Sequence, residues 1–199
     1  AATAKGEDLK EAVSKLLTKT IKQHKRIIFN GNGYSAEWQK EAAKRGLLNL
    51  KNSVDALGQV VTPAAIKLLD RFKILNEREV HARYEIFLEN YNKTINIEAQ
   101  LMVLMANRYI LPAAYRFQGE LASSVTAVKA AGSTAKETKK TLDKLTKLID
   151  EGKVGVDHLQ DLLDHDHDGG PVKHAKYFRD KVIPAMNALR EAGDGLEAI

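Results

Sequence analysis

The chain has 199 residues, 44% hydrophobic and 29% charged, with 31 basic and 26 acidic side chains, a net charge of +5 and a pI near 9.2. That length suits one domain or a domain with a short appendage, and that composition buries a core. The absence of cysteine excludes a disulfide framework and any thiolate metal site, and no apolar run reaches the roughly 18 residues of a membrane span. Basic and acidic residues interleave along most of the chain, which marks a solvated helix surface rather than the one-sided basic stripe of a nucleic-acid binder. With 6% aromatic residues and only 4 prolines, the core is expected to be Leu, Ile, Val and Ala on packed helices. Residues 1–10 carry no apolar signal core, which fits a cytoplasmic protein. The opening Ala1-Ala2-Thr3-Ala4-Lys5-Gly6 reads as a cut into a longer chain or a tag remnant.

Leu9, Val13, Leu16, Leu17 and Ile21 recur at helical spacing and predict an amphipathic helix over Asp8 to Lys22. The apolar run Ile27-Ile28-Phe29, at most a short strand, is broken by the turn residues Asn30-Gly31-Asn32-Gly33. Ser35 caps a helix from Ala36 to about Arg45, and Gly46 ends it. A loop and a short helix from Ser53 follow. Thr62-Pro63 then starts a helix to about Phe72. Asn76 and Glu79 have the spacing of a capping box, and no breaker follows before Leu111. That predicts a rod about 50 Å long at 1.5 Å per residue. Pro112 is expected to kink it, with Ala113 to Ala130 continuing. Thr134 with Glu137 suggests a second capping box, Gly152 a helix stop, and Val156 to Leu163 a separate short helix. Asp164 to Gly170 reads as a polar loop, and Pro171 as the start of a last helix to about Ala192, bent near Pro184. The fold class is therefore mainly all-α, with long antiparallel helices in a bundle.

Four features carry a suggestion of chemistry. Gly31-x-Gly33-x-x-Ala36 after an apolar run matches a dinucleotide fingerprint, with Asp55 about where the ribose acid belongs. Lys51-Asn52-Ser53 is no strand, however, and no later βα unit follows, so a tight turn entering a capped helix is the simpler reading. Asp164-His165-Asp166-His167-Asp168-Gly169 copies half of a calcium loop, but position twelve is Ala175 where a bidentate Glu is needed. His165, His167 and Asp168, with His158 or His174, remain weak candidates for a transition metal. Glu77, Glu79, Glu85 and Glu89 lie among Arg78, His81, Arg83 and Lys93 as ordinary helix-surface pairs. Tyr84, Phe87 and Tyr91 begin an apolar surface that runs on through Leu101, Leu104 and Met105, wider than one helix face. These six are expected in the core or an interface rather than in catalysis. No catalytic and no cofactor-binding residue is expected in this chain.

Longer strings carry a family signature. His24-Lys25-Arg26-Ile27-Ile28-Phe29-Asn30-Gly31-Asn32-Gly33-Tyr34-Ser35-x-x-Trp38 resembles a segment of type III glutamine synthetases, as do Glu41-Ala42-x-x-Arg45-Gly46-Leu47-Leu48-Asn49 and Arg83-Tyr84-Glu85-Ile86-x-Leu88-Glu89-x-Tyr91. Lys93-Thr94-Ile95-Asn96-Ile97-Glu98-Ala99, Ile110-Leu111-Pro112-Ala113-Ala114 and Ala175-Lys176-Tyr177-Phe178-Arg179-Asp180-Lys181-Val182-Ile183-Pro184-Ala185-Met186 are similar too. Together they cover about Leu9 to Glu120 and His174 to Glu197; Ser123 to Gly170 matches only in helical character.

The resemblance implies a parent enzyme that joins glutamate and ammonia with ATP and Mg or Mn, as a cytoplasmic ring-based homo-oligomer. It implies that residues 1–50 are a tail segment of the catalytic domain and 51–199 a helical C-terminal extension packed with it as one unit. The partners implied are the catalytic domain of the same chain and neighbouring copies, with no nucleic acid and no membrane. Asn30-Gly31-Asn32-Gly33 looks like the family's N-G-x-G glutamate loop but lacks the preceding Lys-Pro and the following His, so that role is not carried over. The sequence ends at Ile199, without the Trp/Pro-containing tail usual in the family. The leading expectation is a non-catalytic structural and assembly region. The alternative is a regulatory helical module sensing a small ligand at Gly31–Ser35 or a metal at His165–Asp168, with a nucleic-acid-binding bundle as a weaker third reading.

Overall fold

The computed structural model describes residues 8–164 and 169–199. The chain divides into two compact units, Ala1–Leu50 and Lys51–Ile199, and every regular element among the described residues is helical.

In the first unit, α1 (Leu9–His24) begins where the Asp8 carboxylate accepts the Glu11 N–H. A 3₁₀ turn at Lys25–Ile27 follows and takes up the first residue of the apolar run, which forms no strand. α2 (Ala36–Lys44) starts on Ser35, whose hydroxyl accepts the Trp38 N–H at 3.3 Å. It stops at Gly46, whose φ of +75° is the left-handed turn that suits glycine. Among the described residues of this unit only Ala42 is buried. The apolar stripe of α1 is correctly spaced, yet Leu9, Val13, Leu16, Leu17 and Ile21 are all exposed.

The second unit opens with α3 (Ser53–Gly58) and α4 (Pro63–Arg71), capped by Asn52 and Thr62. The capping box at Asn76 is complete: Asn76 Oδ1 accepts the Glu79 N–H at 3.0 Å, and Glu79 Oε2 accepts the Asn76 N–H at 2.8 Å. It launches α5 (Glu77–Met105), which runs through one π turn into α6 (Leu111–Ala130). α7 (Lys136–Leu163), α8 (Gly170–Tyr177) and, after a second π turn, α9 (Ile183–Glu197) complete the unit.

Both π turns stand immediately ahead of an X–Pro step, at Ala106–Ile110 before Pro112 and at Phe178–Val182 before Pro184. Proline removes one helix hydrogen bond, and its ring presses on the carbonyl four residues back. Here the preceding residue reaches one carbonyl further: Leu111 N–H donates to Ala106 O, and Ile183 N–H to Phe178 O. The wider turn admits the ring without ending the helix. The expected α-helix to Leu111 is thus corrected: α geometry stops at Met105, while the helical path continues to Ala130.

Three further expectations change. Ala135, not Thr134, caps α7, without a side-chain bond, and Glu137 is paired with Lys140 instead. Gly152 does not end a helix, and Val156–Leu163 is not a separate one; both lie inside α7. Leu111, Ala192 and Leu196 pack along α7 at Gly152: a Cβ there would lie 3.5 Å from Leu111, and one on Gly155 would lie 3.5 Å from the Cα of Leu189. Those are ordinary contact distances, so alanine fits at either glycine. Gly152→Ala is expected to raise stability by about 0.5–1 kcal/mol, the usual helix-interior difference, readable as a higher urea midpoint. A helix stop in the left-handed conformation would respond with a loss.

The packing is antiparallel. Along α7 and α9, Gly155 faces Leu189, Gly152 faces Ala192 and Gly195 faces Leu148. Gln118 of α6 donates to Thr146 of α7 at 2.8 Å, while Leu111 lies over Gly152. Along α5 and α8, Asn92 Nδ2 donates to Pro171 O at 3.0 Å, and Leu88 shares a cluster with Ala175. The largest core cluster joins both π turns to α7 and α9 through Ala106, Leu111, Leu159, Phe178, Val182 and Leu189.

Candidate functional site

The Asn30–Ser35 turn of the first unit is built around Arg45. Its guanidinium donates to Glu41 at 2.7 Å and to the carbonyls of Arg26 and Ile28 at 2.6 and 3.2 Å, fixing the segment before the turn. It also lies 5.8 Å from the ring centres of Phe29 and Trp38, which are 4.3 Å from each other. The hydrogen bond from Arg45 holds the Glu41 carboxyl below its usual range. Two of the turn's donors are used internally, Tyr34 N–H on Asn32 Oδ1 at 2.9 Å and Ser35 N–H on Asn32 O at 3.2 Å, and Trp38 N–H of α2 goes to Ser35. A Cβ on Gly31 would come within 2.4 Å of the Phe29 ring, whereas one on Gly33 would meet open space.

A pyrophosphate loop needs both glycines for close backbone approach; here only Gly31 is sterically required, and by an aromatic ring. Gly31→Ala is expected to push Phe29 off Trp38 and shift the emission of this single tryptophan, while Gly33→Ala leaves the spectrum unchanged. Equal effects from both would restore the loop reading.

Asp55, the candidate ribose acid, sits in the second unit and accepts Arg179 Nη1 at 2.5 Å. Arg179 also holds Asp180 at 2.7 Å. The hydrogen bond from Arg179 lowers the Asp180 pKa, so its contribution to stability is present above the ordinary carboxylate range and is lost as pH falls through the lowered value. The hydroxyl of half-buried Tyr91 has no hydrogen-bond partner among the described residues, and burial pushes its pKa up.

The weak metal candidates His165, His167 and Asp168 lie outside the described residues. Ala175, where a calcium loop needs its closing Glu, is fully buried beside Val54 and Leu88. His174 stacks on Phe178 with ring centres 4.6 Å apart, and His158 is exposed. No group of three or more His, Asp or Glu side chains among the described residues is placed to hold a metal ion. Of the surface pairs expected on α5, Glu89 meets Lys93 at 3.2 Å, and Glu79 instead accepts the Asn76 N–H in the capping box.

The expected core-or-interface residues divide. Tyr84 and Tyr91 pack half-buried against the core, whereas Phe87, Leu101, Leu104 and Met105 are exposed. At 100° per residue, four of the five buried residues of α5, Leu88, Asn92, Ala99 and Val103, fall within about 60°, while the fifth, Val80 in the first turn, falls about 80° from Leu88 and about 20° from Phe87. Ile86, Phe87, Ile97, Leu101, Leu104 and Met105 fall within about 100° on a different side. From Ile86 onward α5 is thus apolar on two faces, only one of them covered by the described residues. The uncovered face meets a groove of about 370 Å³ at Met105, walled by Met102, Ile110, Leu189 and Leu196. Tyr109 in the first π turn, and Tyr115 and Phe117 beyond it, are exposed as well.

Sequence reasoning passed over Asn92 and Arg179. The signal for Asn92 was present: an amide four residues after Leu88 and seven before Ala99, on the apolar stripe itself. Arg179 gave none, because its partner Asp55 is 124 residues away.

Among the described residues, no helix is long and apolar enough to cross a membrane. Residues 12–129 match the family model described as glutamine synthetase C-terminal domain. The chain is 34% identical over 199 residues to a glutamine synthetase of Butyrivibrio fibrisolvens, covering 98% of this chain and 28% of that protein. It is 31% identical over 201 residues to a type-3 glutamine synthetase of Dictyostelium discoideum, covering 94% of this chain and 26% of the relative. A glutamine synthetase of Bacteroides fragilis (strain YCH46) is 29% identical, with 94% and 27% covered. The chain therefore spans about a quarter of the length of these relatives.

Proposed function

The chain belongs to the glutamine synthetase C-terminal domain family, and on that premise we propose that it is a non-catalytic structural and assembly region of such an enzyme. The longer protein joins glutamate to ammonia using ATP and Mg or Mn, in the cytoplasm, as a homo-oligomer. Its metal and nucleotide ligands belong to residues outside this chain; the described carboxylates and imidazoles do not converge into a donor set that fits a divalent ion. Residues 1–50 are the tail of the catalytic domain and 51–199 the helical extension. The partners are the catalytic part of the same polypeptide and neighbouring copies.

The observation that carries this reading is the second apolar face of α5. A helix that is greasy on two sides is covered on both in its working state. Burying that face contributes about 25 cal/mol per Å² of apolar area, a driving force for association that needs no chemistry from the helix. The test is sedimentation and ligase assay of a longer protein ending in these residues, with and without 51–199. Smaller particles from the shortened form are expected, and activity is expected to reside in the assembled protein. Particles of unchanged size would reject the assembly role, and turnover by the 199-residue chain alone would reject the non-catalytic one.

A further inference from the structure

The turn between Asn30 and Ser35 in the first unit contains both Asn-Gly steps of the chain, Asn30-Gly31 and Asn32-Gly33. Glycine has no Cβ to hinder a close approach of its own nitrogen to the preceding side chain. An asparagine in that position closes a five-membered ring when the glycine N attacks its Cγ and the side-chain amide leaves as ammonia. The two steps share this chemistry, and the structure separates them.

Asn32 is set up for closure. Its Oδ1 accepts the Tyr34 N–H at 2.9 Å. Negative charge develops on that oxygen as Cγ becomes tetrahedral, and a fixed backbone donor at this distance stabilises it. The attacking Gly33 N–H donates to no acceptor among the described residues, and Asn32, Gly33 and Tyr34 are all exposed, so solvent base reaches it. Nothing lies within 4 Å of a Cβ built on Gly33, which leaves room for the peptide to rotate. At Asn30 the side chain meets no N–H donor among the described residues, and the next peptide is crowded. The Phe29 ring comes within 2.4 Å of a Cβ built on Gly31, and that ring is itself held 4.3 Å from Trp38 and 5.8 Å from the Arg45 guanidinium.

We propose that Asn32 is a site of spontaneous deamidation, with Asn30 spared while the turn is folded. Gly33 N gives its proton to water or hydroxide and bonds to Cγ. The Cγ–Nδ2 bond then breaks, the proton returns on the leaving nitrogen, and ammonia departs to leave a cyclic imide. Water opens the imide at either carbonyl. Opening at Cγ leaves an aspartate in the normal chain. Opening at the main-chain carbonyl leaves an isoaspartate, whose backbone runs through Cβ and Cγ. Both products place a negative charge ahead of α2, where the helix dipole favours it. The isoaspartate also turns the carbonyl that accepts Ser35 N–H at 3.2 Å into a free carboxylate and lengthens the backbone by a methylene, which re-spaces the turn that delivers Ser35 to the Trp38 N–H. The site is read on the first unit and does not depend on the assembly role of α5.

Ageing the 199-residue chain in mildly alkaline buffer, with and without urea, tests it. Trypsin cuts after Arg26 and Lys40 and releases residues 27–40, in which tandem mass spectrometry assigns the exchange of NH2 for OH to position 30 or 32. In the folded chain, conversion at Asn32 is expected to run at least about tenfold faster than at Asn30, with aspartate and isoaspartate peptides both formed. In urea the two rates are expected to converge to within about threefold. Gly33→Ala, whose methyl group meets open space in the fold, is expected to slow conversion at Asn32 at least about tenfold with the Trp38 emission unchanged. Equal rates at the two positions in the folded chain, a preference for Asn32 that persists undiminished in urea, or a rate at Asn32 unmoved by Gly33→Ala would each overturn the proposal.

Discussion

Leu159→Ala is expected to lower the stability of the second unit by about 2–5 kcal/mol. Leu159 is fully buried within the cluster that joins α7 to both π turns and α9. Truncation removes the transfer energy of its methyl and methylene groups and leaves a cavity. The surrounding helices cannot collapse into it, because Gly155 already brings α7 against the backbone of Leu189 on α9. Leu101→Ala removes the same atoms from a residue 49% exposed, so its cost is expected to stay within about 1 kcal/mol. Urea denaturation of the two variants separates these outcomes. At roughly 2–4 °C per kcal/mol for a unit of this size, the Leu159 variant is also expected to melt about 4–20 °C lower. Comparable losses from both would mean that the exposed face of α5 is covered in the isolated chain.

The same contrast explains what could be read from the residues in advance. Helix starts were legible because their chemistry is local: Ser35, Thr62 and the Asn76–Glu79 box each satisfy N–H groups within three residues. Gly46 was legible as a stop for the same reason. Gly152 was not, since the helix continues through it between Leu111, Ala192 and Leu196, and a glycine held inside a packed helix looks like a glycine that ends one. Pro112 and Pro184 were read as kinks; that a π turn precedes each depends on whether the flanking helices are held in place by the core, which spacing does not reveal. At the candidate sites, the excess apolar width of α5 was visible as a count of Leu, Ile, Met and aromatic residues. Which of them face the core required the partner helices. Tyr84 and Tyr91 went inward, while Phe87, Leu101, Leu104 and Met105 stayed outside.

The second large effect lies on that outer face. In a longer protein that carries this chain, Leu101→Glu combined with Met105→Glu is expected to shift the assembly equilibrium toward smaller particles by at least about 100-fold. Each exposed apolar side chain, once buried against a partner, contributes about 1.5–3 kcal/mol. A carboxylate in its place adds the cost of desolvating an unpaired charge, several kcal/mol per ion. In the 199-residue chain the same two positions are 49% and 50% exposed, so glutamate there remains hydrated, and helix propensity hardly changes between Leu, Met and Glu. Folding stability is therefore expected to move by less than about 0.5 kcal/mol per site. The pairing of a large loss in sedimentation with an almost silent denaturation curve is what an interface predicts and a core does not. If the double variant unfolds the isolated chain, the face belongs to its own core; if assembly is untouched, the partner surface lies elsewhere, and the exposed stripe Leu9, Val13, Leu16, Leu17 and Ile21 of α1 becomes the place to introduce the charges.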